Sequence, residues 1–249
     1  MTLNPDWEQE AENWITWARS PDHDAYLDYS PSFFELVPPP GRATLEIGCG
    51  EGRVARDLAA RGHRVTGIDA SPTLLDAARA ADPNGEYVLA DAASLPFPDE
   101  SFDLAVAYNS LQVVDDMSAA VREAGRVLRP GGHFCICIVH PFIDPGRFTA
   151  SEADAPFVLR QPYFGSHRVD ETIERAGVRM RFYGWTHTLE EYSGAFEAAG
   201  FLIDALREPR LPDEAVAADP ADARWQRLPL FLFVRAISST AASTRPRRS

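Results

Sequence analysis

The feature that most restricts this chain is the run Leu45-Glu46-Ile47-Gly48-Cys49-Gly50-Glu51-Gly52-Arg53, in which glycines alternate with other residues between a short β-rich segment and a helical one. Glycine turns the backbone through positive φ at no steric cost and lets a ligand approach the main chain, while the following helix offers free N–H donors. A bound ligand is therefore expected at this strand-turn-helix junction. The spacing also selects among ligands. The dinucleotide fingerprint Gly-x-Gly-x-x-Gly needs a third glycine at position 53, where the chain has Arg53, with its glycine at 52 instead. Glu46, two residues before the first glycine, would repel a pyrophosphate but suits a ligand carrying an ammonium group.

From Ala43 onward, β-rich runs at 44–47, 64–69, 86–90, 102–108 and 133–139 alternate with helical patterns, which predicts a parallel α/β sheet. Phe134 to Val139 is apolar on both faces, as a covered central strand must be, so Cys135 and Cys137 read as small core residues. Ser71 with Pro72 predicts an N-cap followed by a proline in the first turn. Thr188 and Glu191 form a capping box ahead of Leu189, Tyr192 and Phe196, with Gly200 as the stop. Strands at 201–206 and 229–236 bring the sheet to seven. Outside this frame, Trp7, Ala11, Trp14, Ile15 and Ala18 predict an amphipathic helix over 6–18. Prolines 21, 31 and 38–40 predict irregular structure over 20–40 with aromatic anchors. Residues 1–40 are read as an N-terminal lid, 41–236 as the main domain, 141–185 as an insertion capping the site, and 237–249 as a disordered tail.

Composition removes several functions. Of the 249 residues, 37 are acidic and 24 basic, a net charge of −13 that argues against nucleic acid as a partner. Every basic residue is arginine, which excludes Schiff-base and phosphate-binding lysine chemistry. The three cysteines suit a reducing compartment, and no apolar run approaches the roughly 18 residues of a membrane span, so a cytoplasmic protein is expected. A homodimer is compatible with this composition.

Two further carboxylates sit at predicted strand tips. Asp69 ends Val65-Thr66-Gly67-Ile68-Asp69, where it could accept both hydroxyls of a ribose or act as a turn residue. Asp91 opens Asp91-Ala92-Ala93-Ser94-Leu95-Pro96-Phe97, where it could accept from an adenine amine beside a donating Ala92 N–H, or cap a short helix.

Taken in order, the glycine turn, Gly67 to Ser71, Asp91 to Phe97, Ser101-Phe102-Asp103 and Arg126-Val127-Leu128-Arg129-Pro130-Gly131-Gly132 resemble the motifs of class I S-adenosylmethionine-dependent methyltransferases. The likeness is nearest to the small-molecule branch of ubiquinone and menaquinone biosynthesis. It covers about residues 43–140 and the last helix and two strands. It implies a Rossmann-like sheet of order 3-2-1-4-5-7-6 with the seventh strand antiparallel and helices on both faces. S-adenosyl-L-methionine is the cofactor it implies, with Glu46, Gly48, Cys49 and Gly50 near the methionine part. It further implies Asp69 and Ala70 at the ribose, Asp91 and Ala92 at the adenine, and Asn109 and Ser110 offering backbone to the ammonium group. The implied activity is O-, N- or C-methylation of a small molecule. Alternatives are a cofactor-binding cyclase or scaffold that no longer transfers methyl, and an NAD-dependent oxidoreductase.

Methyl transfer from a sulfonium needs alignment and exclusion of water, and a general base where the acceptor is a weak nucleophile. His140, closing the fifth strand, and His187, just before the capped helix, are the candidates, with a structural role equally open to His140. His167 lies in the insertion and is weaker. Asp115 and Asp116 could suggest a divalent cation, but they directly precede the helical pattern from Met117 and read as N-capping residues, so no metal is expected. Tyr26, Tyr29, Phe142, Tyr163, Phe164, Tyr183 and Trp185 form an aromatic reservoir that could wall a flat ligand.

Overall fold

Strand β5 (Leu128–Val139) is the axis of the molecule: its segment Phe134 to Ile138 is fully buried, with helices on both sheet faces. A computed structural model describes residues 3–20, 23, 25–175 and 177–239. β5 pairs in parallel with β4 (Phe102–Tyr108), which pairs with β1 (Thr44–Ile47), then β2 (Val65–Asp69) and β3 (Glu86–Leu89). On its other side β5 meets β11 (Phe231–Ser238) antiparallel, and β11 meets β10 (Phe201–Arg207). Counting only the strands of this sheet, the order is 3-2-1-4-5-7-6 with the seventh antiparallel, as the resemblance implied. Such a sheet places its topological switch between β1 and β4, where the loops leaving the two strands diverge.

Local signals are realised closely. Ser71 accepts from Leu74 N and caps α5 (Pro72–Ala81), and Asp116 accepts from Ala119 N and caps α6 (Met117–Val127). The Thr188–Glu191 capping box is complete at the start of α7 (Leu189–Ala198). Helix α4 (Arg53–Ala60) follows the glycine turn and buries Val54, Ala55 and Leu58.

Three regions differ from the sequence expectation. The helix expected over 6–18 is broken at Glu10 into α1 (Pro5–Gln9) and α2 (Ala11–Arg19). The proline-marked stretch is not irregular throughout: Tyr26–Leu36 forms α3, with Pro31 inside it. An interior proline costs about 3 kcal/mol. Full burial of a phenylalanine returns about 1.5–3 kcal/mol, and α3 buries Phe33, Phe34, Tyr26 and Tyr29 against β4, β5 and β11, so packing wins over propensity. The insertion, for which the sequence predicts no regular elements, is not irregular. It holds two hairpins, β6 (Gly146–Phe148) with β7 (Phe157–Leu159), and β8 (Arg168–Arg175) with β9 (Val178–Trp185). β8 escapes recognition because Val169 and Ile173 are its only aliphatic residues. Helix α8 (Asp213–Ala218) lies between β10 and β11. The expected tail begins inside β11, and its residues 240–249 lie outside the described residues.

Candidate cofactor and active site

The turn after β1 is held open by its own backbone. Gly48, Gly50 and Gly52 have φ of +70°, +55° and +85°. Cys49 N donates to Ile68 O (2.8 Å) and Gly52 N to Cys49 O (2.9 Å), so the turn is tied to β2 while its inner edge stays free. A Cβ on Gly48 would lie 2.4 Å from Ser110 Cβ, which makes glycine obligatory where the turn meets the tip of β4. Ser110 is itself fixed, its hydroxyl donating to the Ile47 carbonyl. Asn109, beside it, has φ of +53°, a left-handed conformation unusual for a non-glycine residue and common at binding sites.

Asp69 joins the turn to the second strand. Its Oδ2 accepts from Gly50 N (2.8 Å) and its Oδ1 from Ser71 N (2.9 Å), and the Ala70 N–H also bonds the carboxylate. Burial pushes its carboxyl above the usual range, opposed by the N–H groups of Ser71 and Gly50. At the third strand, Asp91 Oδ1 accepts from Ala93 N (2.9 Å) and its carbonyl from Ser94 N (3.0 Å), a tight turn that leaves Ala92 buried. Two residues not singled out from sequence pin the next stretch. Glu123 accepts from Leu95 N (2.8 Å), and Arg126 donates to Leu95 O (3.0 Å) and Phe97 O (2.8 Å). Arg126 stood inside a quoted motif, but its target could not be read from spacing.

These pieces enclose one cavity of about 240 Å³ at the carboxyl ends of β1 to β4. Glu46, Gly48, Cys49, Gly50, Asp69, Ala70, Asp91, Ala92, Asn109 and Ser110 all line it. Its size is just below the roughly 300–1,000 Å³ of ordinary ligand pockets, because α1 and α2 close over it through Asn4, Trp7 and Trp14. Glu8 latches this roof by accepting from the hydroxyls of Ser71 and Thr73 at the start of α5. Arg168 of β8 pairs with Asp6, and Phe182 of β9 stacks edge-on to Trp17 at 5.6 Å. The second hairpin thus braces the roof but does not line the cavity. Of the aromatic reservoir, no member lines it either; Tyr26 and Tyr29 are core residues.

Among the described residues, three lining side chains carry a buried polar atom without a hydrogen-bond partner: Glu46 Oε2, Tyr108 Oη and Trp7 Nε1. Glu46 is 1% exposed, and burial, with Asp69 and Glu51 nearby, drives its carboxyl well above the usual range. Such an orphaned acceptor costs stability unless a ligand supplies the donor.

Neither histidine candidate lines the cavity. His140 Nδ1 accepts from Phe142 N (3.2 Å), which leaves its proton on Nε2 facing Glu208 Oε1 at 3.0 Å. Burial lowers its pKa, countered by Glu208. His187 packs edge-on to Tyr192 at 5.4 Å, its Nδ1 3.4 Å from Ser166 Oγ, and burial lowers its pKa. His167 Nε2 lies 3.3 Å from the Phe164 carbonyl. Asp115 accepts from Trp185 Nε1 (3.1 Å) and Asp116 caps its helix. Among the described residues no three His, Cys, Asp or Glu side chains cluster as a metal site would require.

A second, larger cavity of about 570 Å³ sits at the amino ends of β1 to β3, lined by Arg42, His63, Arg64, Asp82, Glu86 and Tyr87 among others. It has no glycine-rich strand-to-helix turn, and ligands of open α/β sheets bind at carboxyl ends.

Known proteins agree with this geometry. Residues 45–136 match the methyltransferase domain family. A probable S-adenosylmethionine-dependent methyltransferase of Mycolicibacterium smegmatis is 32% identical over 187 residues, 74% of this chain and 67% of that protein. The demethylmenaquinone methyltransferase of Tropheryma whipplei is 37% identical over 112 residues, 44% of this chain and 46% of that enzyme, so the chain spans under half of its length. The crystal structure of an S-adenosylmethionine-dependent methyltransferase from Mesorhizobium loti superimposes with a TM-score of 0.69 at 27% identity, covering 84% of this chain and 97% of that one. The chain belongs to the S-adenosylmethionine-dependent methyltransferases. Among the described residues no helix is long and apolar enough to cross a membrane.

Proposed function

We propose that this protein transfers the methyl group of S-adenosylmethionine to a small-molecule acceptor in the cytoplasm. The observation that carries the reading is the unpartnered carboxylate oxygen of Glu46, buried beside a glycine turn and within one cavity with Asp69 and Asp91. A cationic amino-acid tail satisfies that oxygen; a pyrophosphate does not. In this reading the Asp69 carboxylate accepts the ribose hydroxyls, with Ala70 alongside. Asp91 accepts from the adenine amine, and the Ala92 N–H donates to the ring. Glu46 and the backbone of Asn109 and Ser110 hold the ammonium group, with Gly48, Cys49 and Gly50 under the methionyl chain.

The bound cofactor supplies an electrophilic methyl on a positively charged sulfur. What the chain contributes is alignment and dryness: the roof of Trp7 and Trp14 excludes water, and the acidic lining stabilises positive charge before transfer. With both histidines outside the cavity, deprotonation by His140 or His187 would require the acceptor to extend beyond it toward β9 or β10. An acceptor already nucleophilic at neutral pH needs no such base. A homodimer is compatible with this reading and is not needed by it.

Calorimetry with S-adenosylhomocysteine tests the assignment. Asp69→Ala removes a charged acceptor of two hydroxyls and should weaken binding by about 1.5–3 kcal/mol, roughly ten- to 150-fold. Unchanged affinity in that variant, or tight binding of NADH in place of S-adenosylhomocysteine, overturns it.

A further inference from the structure

The larger cavity, at the amino ends of β1 to β3, takes no part in the site described above, yet its volume of about 570 Å³ falls within the roughly 300–1,000 Å³ of ordinary ligand pockets. The sheet order sorts its charges. Arg42 and Arg64 stand just before β1 and β2, whereas Asp82 and Glu86 stand at β3, with β2 between β3 and β1. Arg64 donates to the Arg42 carbonyl, which draws the two arginines together. Among the described residues neither guanidinium has a carboxylate partner. Asp103, which accepts from the backbone N–H groups of Arg42 and Ala43, is paired with Arg129. In a chain of net charge −13, two adjacent arginines left without an acid make a local place for an anion, and the guanidinium fork suits the oxygen pairs of a phosphate. His63 adds no charge there at neutral pH: its Nδ1 lies 3.1 Å from Thr44 Oγ1, and burial, with Arg61 nearby, lowers its pKa.

The β3 side offers acceptors instead. Asp82 accepts from Asn84 N (3.2 Å) and Glu86 from Thr66 Oγ1 (3.0 Å), one bond each for carboxylates that can take about four. Between the two sides Ala55, Ala59 and Val65 leave a small, apolar middle. Tyr87 backs it with ring carbons, since its hydroxyl is buried away from solvent, where a Cβ on Gly52 would be 2.9 Å from it. That ring is fixed in place: a Cβ on Gly85 would lie 2.5 Å from its Cε2 and one on Gly67 3.1 Å from its Cδ1. The wall is therefore preformed, with a cation pair at one end and acids at the other.

We propose that this cavity is a second ligand site, for a small phosphate monoester: Arg42 and Arg64 take the phosphate, and Asp82 and Glu86 take hydroxyl or amino donors at the ligand's other end. Two sources carry that chemistry, a nucleoside monophosphate and a sugar phosphate. The site is separate from the methyl-transfer reading and does not depend on it.

The test titrates adenosine 5′-monophosphate, glucose 6-phosphate, adenosine and inorganic phosphate by calorimetry into the full chain, with and without saturating S-adenosylhomocysteine, which keeps adenosine probes out of the first cavity. A phosphate ester should bind the loaded protein, with adenosine and inorganic phosphate at least about tenfold weaker. Whichever ester binds identifies the source. Arg42→Gln/Arg64→Gln removes the cation pair, and Ala59→Trp fills the cavity from an exposed position on α4. Each should weaken ester binding about tenfold or more and leave S-adenosylhomocysteine affinity as in wild type, and thermal melting checks that both fold. The site is overturned if neither ester binds, if inorganic phosphate binds as well as the ester, or if either variant keeps wild-type ester affinity. Wild type that takes up no S-adenosylhomocysteine overturns the methyl-transfer reading instead, and glucose 6-phosphate, which has no adenine, then still tests this cavity in the unloaded protein.

Discussion

Replacing Gly48 by alanine should cripple this protein in two separable ways. The residue sits at φ +70°, where a side chain costs about 1–2 kcal/mol. Its new methyl would also lie 2.4 Å from Ser110 Cβ, against an ordinary contact of 3.4 Å or more. Ser110 cannot yield freely, because it is buried and bonded to the Ile47 carbonyl, so the tip of β4 must move at an overpacking cost of about 1–3 kcal/mol. The two add to roughly 2–5 kcal/mol, and at about 2–4 °C per kcal/mol for a chain of this size the melting temperature falls by roughly 4–20 °C. Gly131→Ala is the control. It has φ +77° with nothing within 4 Å of a Cβ, so it suffers backbone strain alone. Thermal melting of both variants, with S-adenosylhomocysteine calorimetry on each, separates strain from collision. Only Gly48→Ala should lose cofactor affinity, and Gly48→Ala/Ser110→Gly should regain part of both losses. If Gly48→Ala melts level with Gly131→Ala and binds as wild type, the steric account of the turn is wrong.

Glu46→Gln should trade stability against binding. The folded pKa of Glu46 lies above its unfolded value, so its contribution is most favourable below about pH 4.5 and is lost as pH rises. At neutral pH the glutamine variant, freed of a buried charge, should melt above wild type without ligand yet bind S-adenosylhomocysteine more weakly; a lower melting temperature would contradict this. Glu8 has the opposite sign. Burial would raise its carboxyl, but hydrogen bonds from Ser71 and Thr73 outweigh it and hold the pKa below 4.5. Its latch is therefore complete above that pH and fails as pH falls through the folded value, so proteolysis of the N-terminal helices should accelerate in acid for wild type and be pH-insensitive for Glu8→Ala. Arg126→Met should free the Leu95–Phe97 loop, raising amide exchange there and weakening adenosine binding while leaving α6 in place.

Much of the sheet and of the cavity was legible because both depend on local rules. Glycines at φ above zero, the Ser71 and Thr188 caps and the apolar run through β5 each act within a few residues of themselves. What was not legible depended on tertiary packing. Pro31 forbids helix locally, but the aromatic face of α3 found a core on β4, β5 and β11 that no local reading reveals. The hairpin of β8 and β9 carries its apolar face mainly on β9, where Met180 is buried and Phe182 meets Trp17, and it is held by α2 and by the turn after β4, where a Cβ on Gly184 would be 2.8 Å from the Gln112 carbonyl. His140 and His187 stand at the strand and helix ends that sequence assigned them, but their partners Glu208 and Tyr192 draw them away from the cavity.

The most direct test of the account is a crystal structure of the protein grown with S-adenosylhomocysteine. The ligand should lie across the carboxyl ends of β1 to β4, adenine at Asp91 and Ala92, ribose on Asp69, and amino-acid tail between Glu46 and the β4 tip. Density for it in the second cavity beside His63 and Arg64, or a roof of Trp7 and Trp14 that blocks the sulfur from any acceptor, would contradict the assignment of site or of methyl transfer respectively.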